Sequence, residues 1–165
     1  MNARNIVAIR PLCLDDAAFL CSIFKDNAEY YEIFFDSENA ISEWEDRIIK
    51  ILNQDIVKHF IIETNNKPVG WISFSDYSSD ERELCVLVIR KEDLHRGYGA
   101  QSLSWFIEKS KSDKMQSLLL NVNQNNSRAI HFYQCFGFKI FAEEIIPECN
   151  EAVNLAQYKM RLLLR

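Results

Sequence analysis

Residues 94–101 say most about what this chain folds into, and they read Leu94-His95-Arg96-Gly97-Tyr98-Gly99-Ala100-Gln101. Two of the four glycines in the chain fall here, after an apolar run and before a segment with helical spacing. Glycine lets the backbone approach a ligand closely, and a helix N-terminus presents N–H groups with a partial positive charge. Arg96 adds a full charge and a bidentate set of donors. The stretch therefore predicts a loop that binds a phosphate or pyrophosphate.

Other interpretations of the same glycines stay open. They can serve only to make the turn from strand to helix, because short Gly-x-Gly strings are weak signals. A dinucleotide fingerprint fits poorly, since its third glycine would be Ser102 and the loop follows three strands instead of opening the first βαβ unit. No Gly-Lys-Ser/Thr follows, so the loop is not a P-loop. A nucleotide-binding α/β domain is the weaker alternative.

Hydrophobic spacing on both sides of the loop predicts the other elements. Short β-rich runs predict strands at 6–10, 57–62, 69–74, 84–89, 118–122, 138–141 and 156–162. Three- and four-residue spacing predicts helices from a cap at Asp15 or Asp16 to Phe24, and at 37–52, 98–111 and 127–136. The order β-α-α-β-β-β-α-β-α-β-β predicts a mixed α/β (α+β) sandwich, an antiparallel meander followed by crossovers onto the same sheet.

Composition limits the class of protein. A chain of 165 residues with 48% hydrophobic content suits one domain, 1–165. The net charge of -5 and the lack of a basic cluster make nucleic acid an unexpected ligand. No signal-peptide core or spanning segment is found, so we expect a cytoplasmic protein with no membrane partner. The five cysteines lack a Cys-x-x-Cys and the three histidines lack ligand spacing, so we expect reduced thiols and no metal.

Two motifs connect the chain with a known family. Residues 94–99 resemble the Gln/Arg-x-x-Gly-x-Gly/Ala loop of the GNAT superfamily of acetyl-CoA-dependent N-acetyltransferases, departing from it at Leu94. Residues 126–138 read Asn126-Ser127-Arg128-Ala129-Ile130-His131-Phe132-Tyr133-Gln134-Cys135-Phe136-Gly137-Phe138, similar to the family's Asn-x-x-Ala-x-x-x-Tyr-x-x-x-Gly-Phe at every named position. The resemblance covers 57–141. It implies a largely antiparallel sheet of about six to seven strands flanked by about four helices.

The resemblance implies that acetyl-CoA is the co-substrate. The residues of the phosphate loop would then be His95, Arg96, Gly97, Tyr98, Gly99, Ala100 and Gln101. The pantetheine arm would pair with backbone groups of Leu87, Val88 and Ile89 like an added strand, and an N–H of that strand would face the thioester oxygen. Asn126 would cap the following helix, bond the cofactor, or do both.

The resemblance also assigns the chemistry to two side chains. Tyr133 would protonate the departing CoA thiolate, although Phe132, Tyr133 and Phe136 crowd one short helix and can equally be core. Glu83 stands at the same distance before the glycine loop as the general base of histone-type members. An acidic residue at a strand end is otherwise most often solvated. The resemblance implies an N-acetyltransferase that works by direct attack in a ternary complex.

The resemblance implies an acceptor that is a primary amine of a small cationic molecule or of a protein. The family places part of its acceptor pocket between the first two helices, where this chain has Glu29, Tyr30, Tyr31 and Glu32, and acidic and aromatic side chains suit a cationic amine. A solvated loop with buried aromatics explains the same residues. A non-catalytic module that senses acetyl-CoA or scaffolds a partner is the alternative function. Dimers are frequent in the superfamily, so a homodimer is possible.

Overall fold

The computed structural model of the chain describes residues 6–26, 41–147 and 154–164. In these residues, seven strands form one sheet with the order β1-β2-β3-β4-β5-β7-β6. The strands are β1 (Ala8–Pro11), β2 (Val57–Thr64), β3 (Lys67–Asp76), β4 (Glu81–Ile89), β5 (Ser117–Asn123), β6 (Lys139–Pro147) and β7 (Asn154–Leu163). The described helices are α1 (Ala17–Asp26), α2 (Ile41–Leu52), α3 (Tyr98–Ser112) and α4 (Ser127–Cys135). The mixed α/β prediction is therefore confirmed.

The chain divides into two compact units, and the first comprises Met1–Phe74 and Val86–Phe106. Its strand β1 runs antiparallel to β2, with Ala8 opposite Glu63. One core cluster joins α1 and α2 to the sheet, and its buried members are Leu12, Ala17, Leu20, Cys21, Ile48, Ile61 and Trp71. The ring of Phe60 stacks on Phe74 and meets the edge of Trp105. Apolar spacing in α1, α2 and β2 thus produces the packing that it predicts.

The second unit comprises Ser75–Cys85 and Ile107–Arg165. The first residues of β4 pair in parallel with β5, from Glu81 opposite Ser117 to Leu84 opposite Leu120. Strand β5 pairs antiparallel with β7, and β7 with β6. A parallel neighbour requires a crossover, which the chain makes through α3.

A buried arginine that the sequence analysis did not single out braces the second unit. Arg82 is 1% exposed, and its Nε donates to Asp76 over 2.6 Å. Its Nη1 donates to Asp113 over 2.8 Å. The pairing with Arg82 lowers the pKa of Asp113. A buried guanidinium needs such partners because removing a charge from water is costly.

The helical run begins one turn before the predicted cap, although α1 itself starts directly after Asp16. A 3₁₀ turn at Leu14–Asp16 precedes the helix, and the residue before that turn is Cys13. The Asp16 carboxylate accepts the Cys13 N–H over 2.9 Å and pairs with Arg10 at 2.7 Å. A full cation six residues upstream thus engages the side chain that was expected to cap the helix. For the predicted helix 37–52, residues 41–52 are helical and 37–40 lie outside the described residues.

No helix in the described ranges is long and apolar enough to cross a membrane.

Candidate active site

The glycine loop in the first unit has the backbone geometry that its sequence predicts. His95 has φ +63° and Gly97 has φ +82°, both in the left-handed region. A Cβ built on Gly97 meets no atom within 4 Å, so the space beside this backbone is open. The Gln101 N–H donates to the Gly97 carbonyl over 3.1 Å, and α3 therefore begins directly after the turn. The first N–H groups of a helix have no intrahelical acceptor, so this end can receive an anion.

Asp93 braces the loop, and the sequence analysis missed it. It is 5% exposed and pairs with Arg90, Nη2 to Oδ2 at 2.7 Å. Its other oxygen lies 3.5 Å from Nη1 of Arg96, whose Nη2 also donates to the Glu92 carbonyl. Arginines three residues before and after an aspartate in a turn are the sequence signal for this arrangement. Asp93 therefore limits where the partly exposed Arg96 guanidinium can reach.

Two side chains of the predicted loop are already used inside the protein. Tyr98 is 2% exposed, so its side chain is part of the core and its backbone is what remains at the loop. The Gln101 Oε1 accepts the N–H of Val7 over 3.1 Å. The loop thus offers an anion mainly backbone N–H groups. Because the backbone is the main contact, the departure from the family pattern at Leu94 removes one side-chain contact at most.

The predicted pantetheine strand lies so close to Gly70 of the neighbouring strand that a side chain there would overlap it. A Cβ at Gly70 would lie 2.5 Å from the Val88 carbonyl oxygen and 2.8 Å from Cδ1 of Ile89. The Val69 carbonyl also accepts the N–H of Arg90 over 2.8 Å. The side chain of Val88 packs against the core cluster of the first unit. The side chains of this segment are therefore structural, and its backbone is the part that can pair with a ligand.

The second motif forms α4 in the second unit. Asn126 is the N-cap of the helix, and its Oδ1 accepts the Ala129 N–H over 3.0 Å. This contact confirms the capping role. Tyr133 is half-buried, with ring centroids 5.3 Å from Phe132 and 5.8 Å from Phe138, both edge-on. Packing on both sides fixes the ring, as a core residue requires and as a positioned proton donor also requires.

Glu83 lines a pocket of the second unit. The pocket holds about 190 Å³ and is lined by Tyr77, Glu81, Glu83, Leu119, Leu120, Asn121, Phe141, Lys159 and Arg161. The Asn121 amide nitrogen donates to Oε1 of Glu83 over 2.9 Å. Asn121 lies one residue beyond the parallel pairing of β4 with β5, where its side chain can reach across. The sequence analysis missed Asn121, although one polar residue inside an apolar strand is a usable signal.

The nearest thiol to Glu83 in sequence is a poor nucleophile. Cys85 is a free cysteine whose Sγ lies 3.5 Å from the Ser75 hydroxyl. Desolvation and the nearby charge of Glu83 raise the pKa of this thiol, against a smaller lowering by Ser75. Because the thiolate is the reactive form, Cys85 is poorly suited to carry an acyl group.

Among the described residues, no group of three or more His, Cys, Asp or Glu side chains is placed to hold a metal ion. The acceptor residues Glu29, Tyr30, Tyr31 and Glu32 lie outside the described residues. The first unit holds 87–89 and the glycine loop, and the second holds Glu83, Asn126 and Tyr133.

Comparison with known proteins adds to this geometry. A search of curated proteins found no sequence match. Solved structures match over nearly the whole chain. A spermidine N-acetyltransferase from Vibrio cholerae in complex with CoA and spermine has a TM-score of 0.79 at 17% identity, with 95% of each chain covered. The ribosomal-protein-alanine N-acetyltransferase of Brucella melitensis has a TM-score of 0.76 at 18% identity, covering 95% of this chain and 99% of that one.

At such identities the likeness shows a shared fold. Ard1 from Thermoplasma volcanium matches likewise, with a TM-score of 0.72 at 19% identity over 96% of this chain and 98% of that one. A family model described as the acetyltransferase (GNAT) family matches residues 20–138, well over half of the sequence. The chain therefore belongs to the GNAT family of acetyltransferases.

Proposed function

We propose that this acetyltransferase transfers the acetyl group of acetyl-CoA directly to a primary amine bound beside it. The observation that carries the proposal is the position of the Glu83 carboxylate. It lines a pocket and, among the described residues, accepts a hydrogen bond from the Asn121 amide. A carboxylate fixed by a neutral amide keeps its negative charge and is suited to receive an ammonium group. We treat the whole chain as one N-acetyltransferase domain.

The first unit supplies the residues that would hold acetyl-CoA. The open space at Gly97 and its positive φ fit a close backbone approach by a pyrophosphate. The negative charge of the pyrophosphate would be bound by the N–H groups of Gly99 and Ala100 and by the Arg96 guanidinium. Backbone groups of Leu87, Val88 and Ile89 would pair with the pantetheine arm, and one N–H would stabilise negative charge on the carbonyl oxygen. When bound, acetyl-CoA supplies the activated acyl group as a thioester.

The acceptor must lose a proton before it attacks. An alkyl ammonium with a pKa near 10.4 is only about one part in a thousand neutral at pH 7.4. Glu83 would accept that proton, directly or through water, and Asn121 would fix which carboxylate oxygen faces the amine. Tyr133 would donate its phenolic proton to the departing CoA thiolate. The ammonium loses two protons in all. Glu83 would take the first and pass it to water, and the second would leave the nitrogen of the tetrahedral adduct and restore Tyr133, whose own proton has gone to the thiolate. The products are then the amide, the CoA thiol and one released proton.

The free thiols support a cytoplasmic location for the protein. Cys13, Cys85 and Cys135 are free thiols in the described part of the chain. Reduced cysteines are usual in the cytoplasm, where we place the protein. The acceptor can be a small amine or an amine of a protein.

The test measures thiol release from acetyl-CoA against polyamines, aminoglycosides, amino acids and Lys-containing peptides. The melting temperature with and without CoA serves as the binding control. Binding to the native state at about 100 times the dissociation constant stabilises by about 2.7 kcal/mol. Release with at least one acceptor, together with a CoA shift, supports the proposal. No release and no CoA shift, with ATP or NAD raising the melting temperature instead, would point to a nucleotide-binding protein.

A further inference from the structure

We propose that the acceptor carries a carboxylate as well as its amine, and that Arg161 and Lys159 bind this carboxylate while Glu83 receives the amine. The inference rests on the proposed function and narrows it to amino acids and peptides. All three side chains line the same pocket of the second unit. The site is therefore of mixed charge, with two carboxylates and two cations.

The strand register places the two kinds of charge on the same face of the sheet. Glu83 lies opposite Leu119, which lies opposite Arg161, so these positions share one row across β4, β5 and β7. Neighbouring strands are about 4.8 Å apart, which separates the backbones of Glu83 and Arg161 by roughly 10 Å. Lys159 lies opposite Asn121, the residue that holds Glu83. Because the arginine and lysine side chains are long, the distance between their charged ends and the Glu83 carboxylate can match the length of a small molecule.

Arg161 has hydrogen-bonding capacity that the protein does not use. Its Nε is buried without a hydrogen-bond partner in the described residues. Its Nη2 makes a long ion pair of 3.3 Å with Glu81, and the Glu81 oxygen also accepts the Ser117 hydroxyl at 2.8 Å. The guanidinium lies over the Phe141 ring, 4.5 Å from its centroid. Because Nε is closed off from the pocket, a carboxylate would bind at the Nη end of the guanidinium, whose side chain is 40% exposed.

Lys159 adds a second cation to the same wall. Its Nζ pairs with Glu144 over 2.9 Å, and the ammonium has three donors, so one contact leaves others available. Tyr77, 70% exposed, and Phe141 supply aromatic surface beside these charges. A polyamine would bring further positive charge toward Arg161 and Lys159. A carboxylate would meet complementary charge there.

The experiment compares matched acceptors on the full-length protein. Thiol release from acetyl-CoA is measured with the twenty free amino acids found in proteins, with their primary amides, and with spermidine. We expect kcat/KM to be higher for at least one amino acid than for its amide, by about 30-fold, as for a charge-assisted bidentate contact. Arg161→Gln should lower kcat/KM for that amino acid by about 10-fold or more and leave the amide within about twofold.

The controls separate binding from folding. Lys139→Gln removes an exposed cation that lies opposite Arg161 on β6 but does not line the pocket. It should leave kcat/KM unchanged for both the amino acid and its amide. Arg161→Lys should restore part of the loss. If Arg161→Gln melts early, Lys159→Gln provides the same test.

Two outcomes overturn the inference in distinguishable ways. Equal rates for amino acid and amide, or a preference for spermidine, would refute the carboxylate site while acetyl transfer to amines stands. No release with any acceptor would overturn the proposed function and this inference together.

Discussion

The side-chain amide of Asn121 donates a hydrogen bond to Oε1 of Glu83 over 2.9 Å, joining β5 to β4 where their parallel pairing ends. This contact occupies one carboxylate oxygen of a residue that lines the pocket. We predict that Glu83→Gln lowers kcat by about 100-fold, as for loss of a general base. Asn121→Ala should cost less, about 10-fold, because the carboxylate remains but is no longer fixed.

The double variant checks whether the two residues act together. Because Asn121 acts through Glu83, adding Asn121→Ala to Glu83→Gln should lower kcat little further. Steady-state rates of all four proteins give the coupling. Strictly additive losses would show that Asn121 has a separate role. An unchanged rate in Glu83→Gln would remove Glu83 from the chemistry.

Tyr133→Phe tests the proposed proton donor. The change keeps the ring contacts with Phe132 and Phe138 and removes the hydroxyl. We predict a fall in kcat of about 100-fold with nearly unchanged CoA affinity. Tyr158→Phe, a half-buried tyrosine of β7, is the matched control and should keep its rate. Wild-type turnover in the Tyr133 variant would refute the assignment.

Gly97→Val tests the phosphate loop. Its Cβ meets open space in the protein, so the folding cost is limited to the strained φ of +82°, about 1–2 kcal/mol. The same side chain would block backbone approach by the pyrophosphate, and CoA binding measured by calorimetry should be lost. Gly137→Ala is the strain control, since Gly137 has φ +90° with Leu162 3.3 Å from the added Cβ. A folded Gly97→Val protein with wild-type CoA affinity would contradict the loop assignment.

Gly70→Ala should weaken both the fold and the CoA site. The added methyl would overlap the Val88 carbonyl and Ile89, so the strand behind the proposed pantetheine site must shift. Overpacking of this kind costs about 1–3 kcal/mol, and roughly 2–4 °C of melting temperature per kcal/mol for a protein of this length. We expect a lower melting temperature and weaker CoA binding in the same variant. A fully stable variant would show that the contact is not restrictive.

His59 should make stability depend on pH. Burial lowers its pKa from 6.5 to about 4 in the folded protein, so between these values the unfolded state binds the proton more readily. Stability is therefore full above pH 6.5 and falls as the pH drops toward 4, by at most about 1.4 kcal/mol per pH unit. Urea unfolding from pH 7.5 to 4.5 measures this. His59→Phe, which keeps an aromatic ring over Trp71, should flatten the dependence, and the exposed His131→Gln should retain it.

Hydrophobic periodicity and glycine placement gave most of the fold. Every predicted strand exists, and the helix after Gly97 begins at Tyr98 as predicted. Spacing carries this information because side-chain direction repeats along helices and strands. The start of the helical run at Leu14 was not predicted, because residue type alone does not show that the Asp16 carboxylate accepts the Cys13 N–H and pairs with Arg10.

The candidate site was predictable only in part. The motifs identify Gly97, Asn126 and Tyr133, whose local geometry depends on neighbours in sequence. Asn121 and Arg161 became candidates through strand register, which joins residues far apart in the chain. The bracing of the loop by Asp93 likewise depends on a turn that the spacing alone did not resolve.

Direct transfer to an amine without an acyl-enzyme is tested by measuring thiol release from acetyl-CoA with the acceptor present and with the acceptor omitted. We predict that thiol is released only when an amine is present and that mass spectrometry finds no acetyl group on the protein. Cys85 is a poor nucleophile because its pKa is raised. A stoichiometric burst of thiol with acetyl-CoA alone, accompanied by an acetylated cysteine, would contradict it.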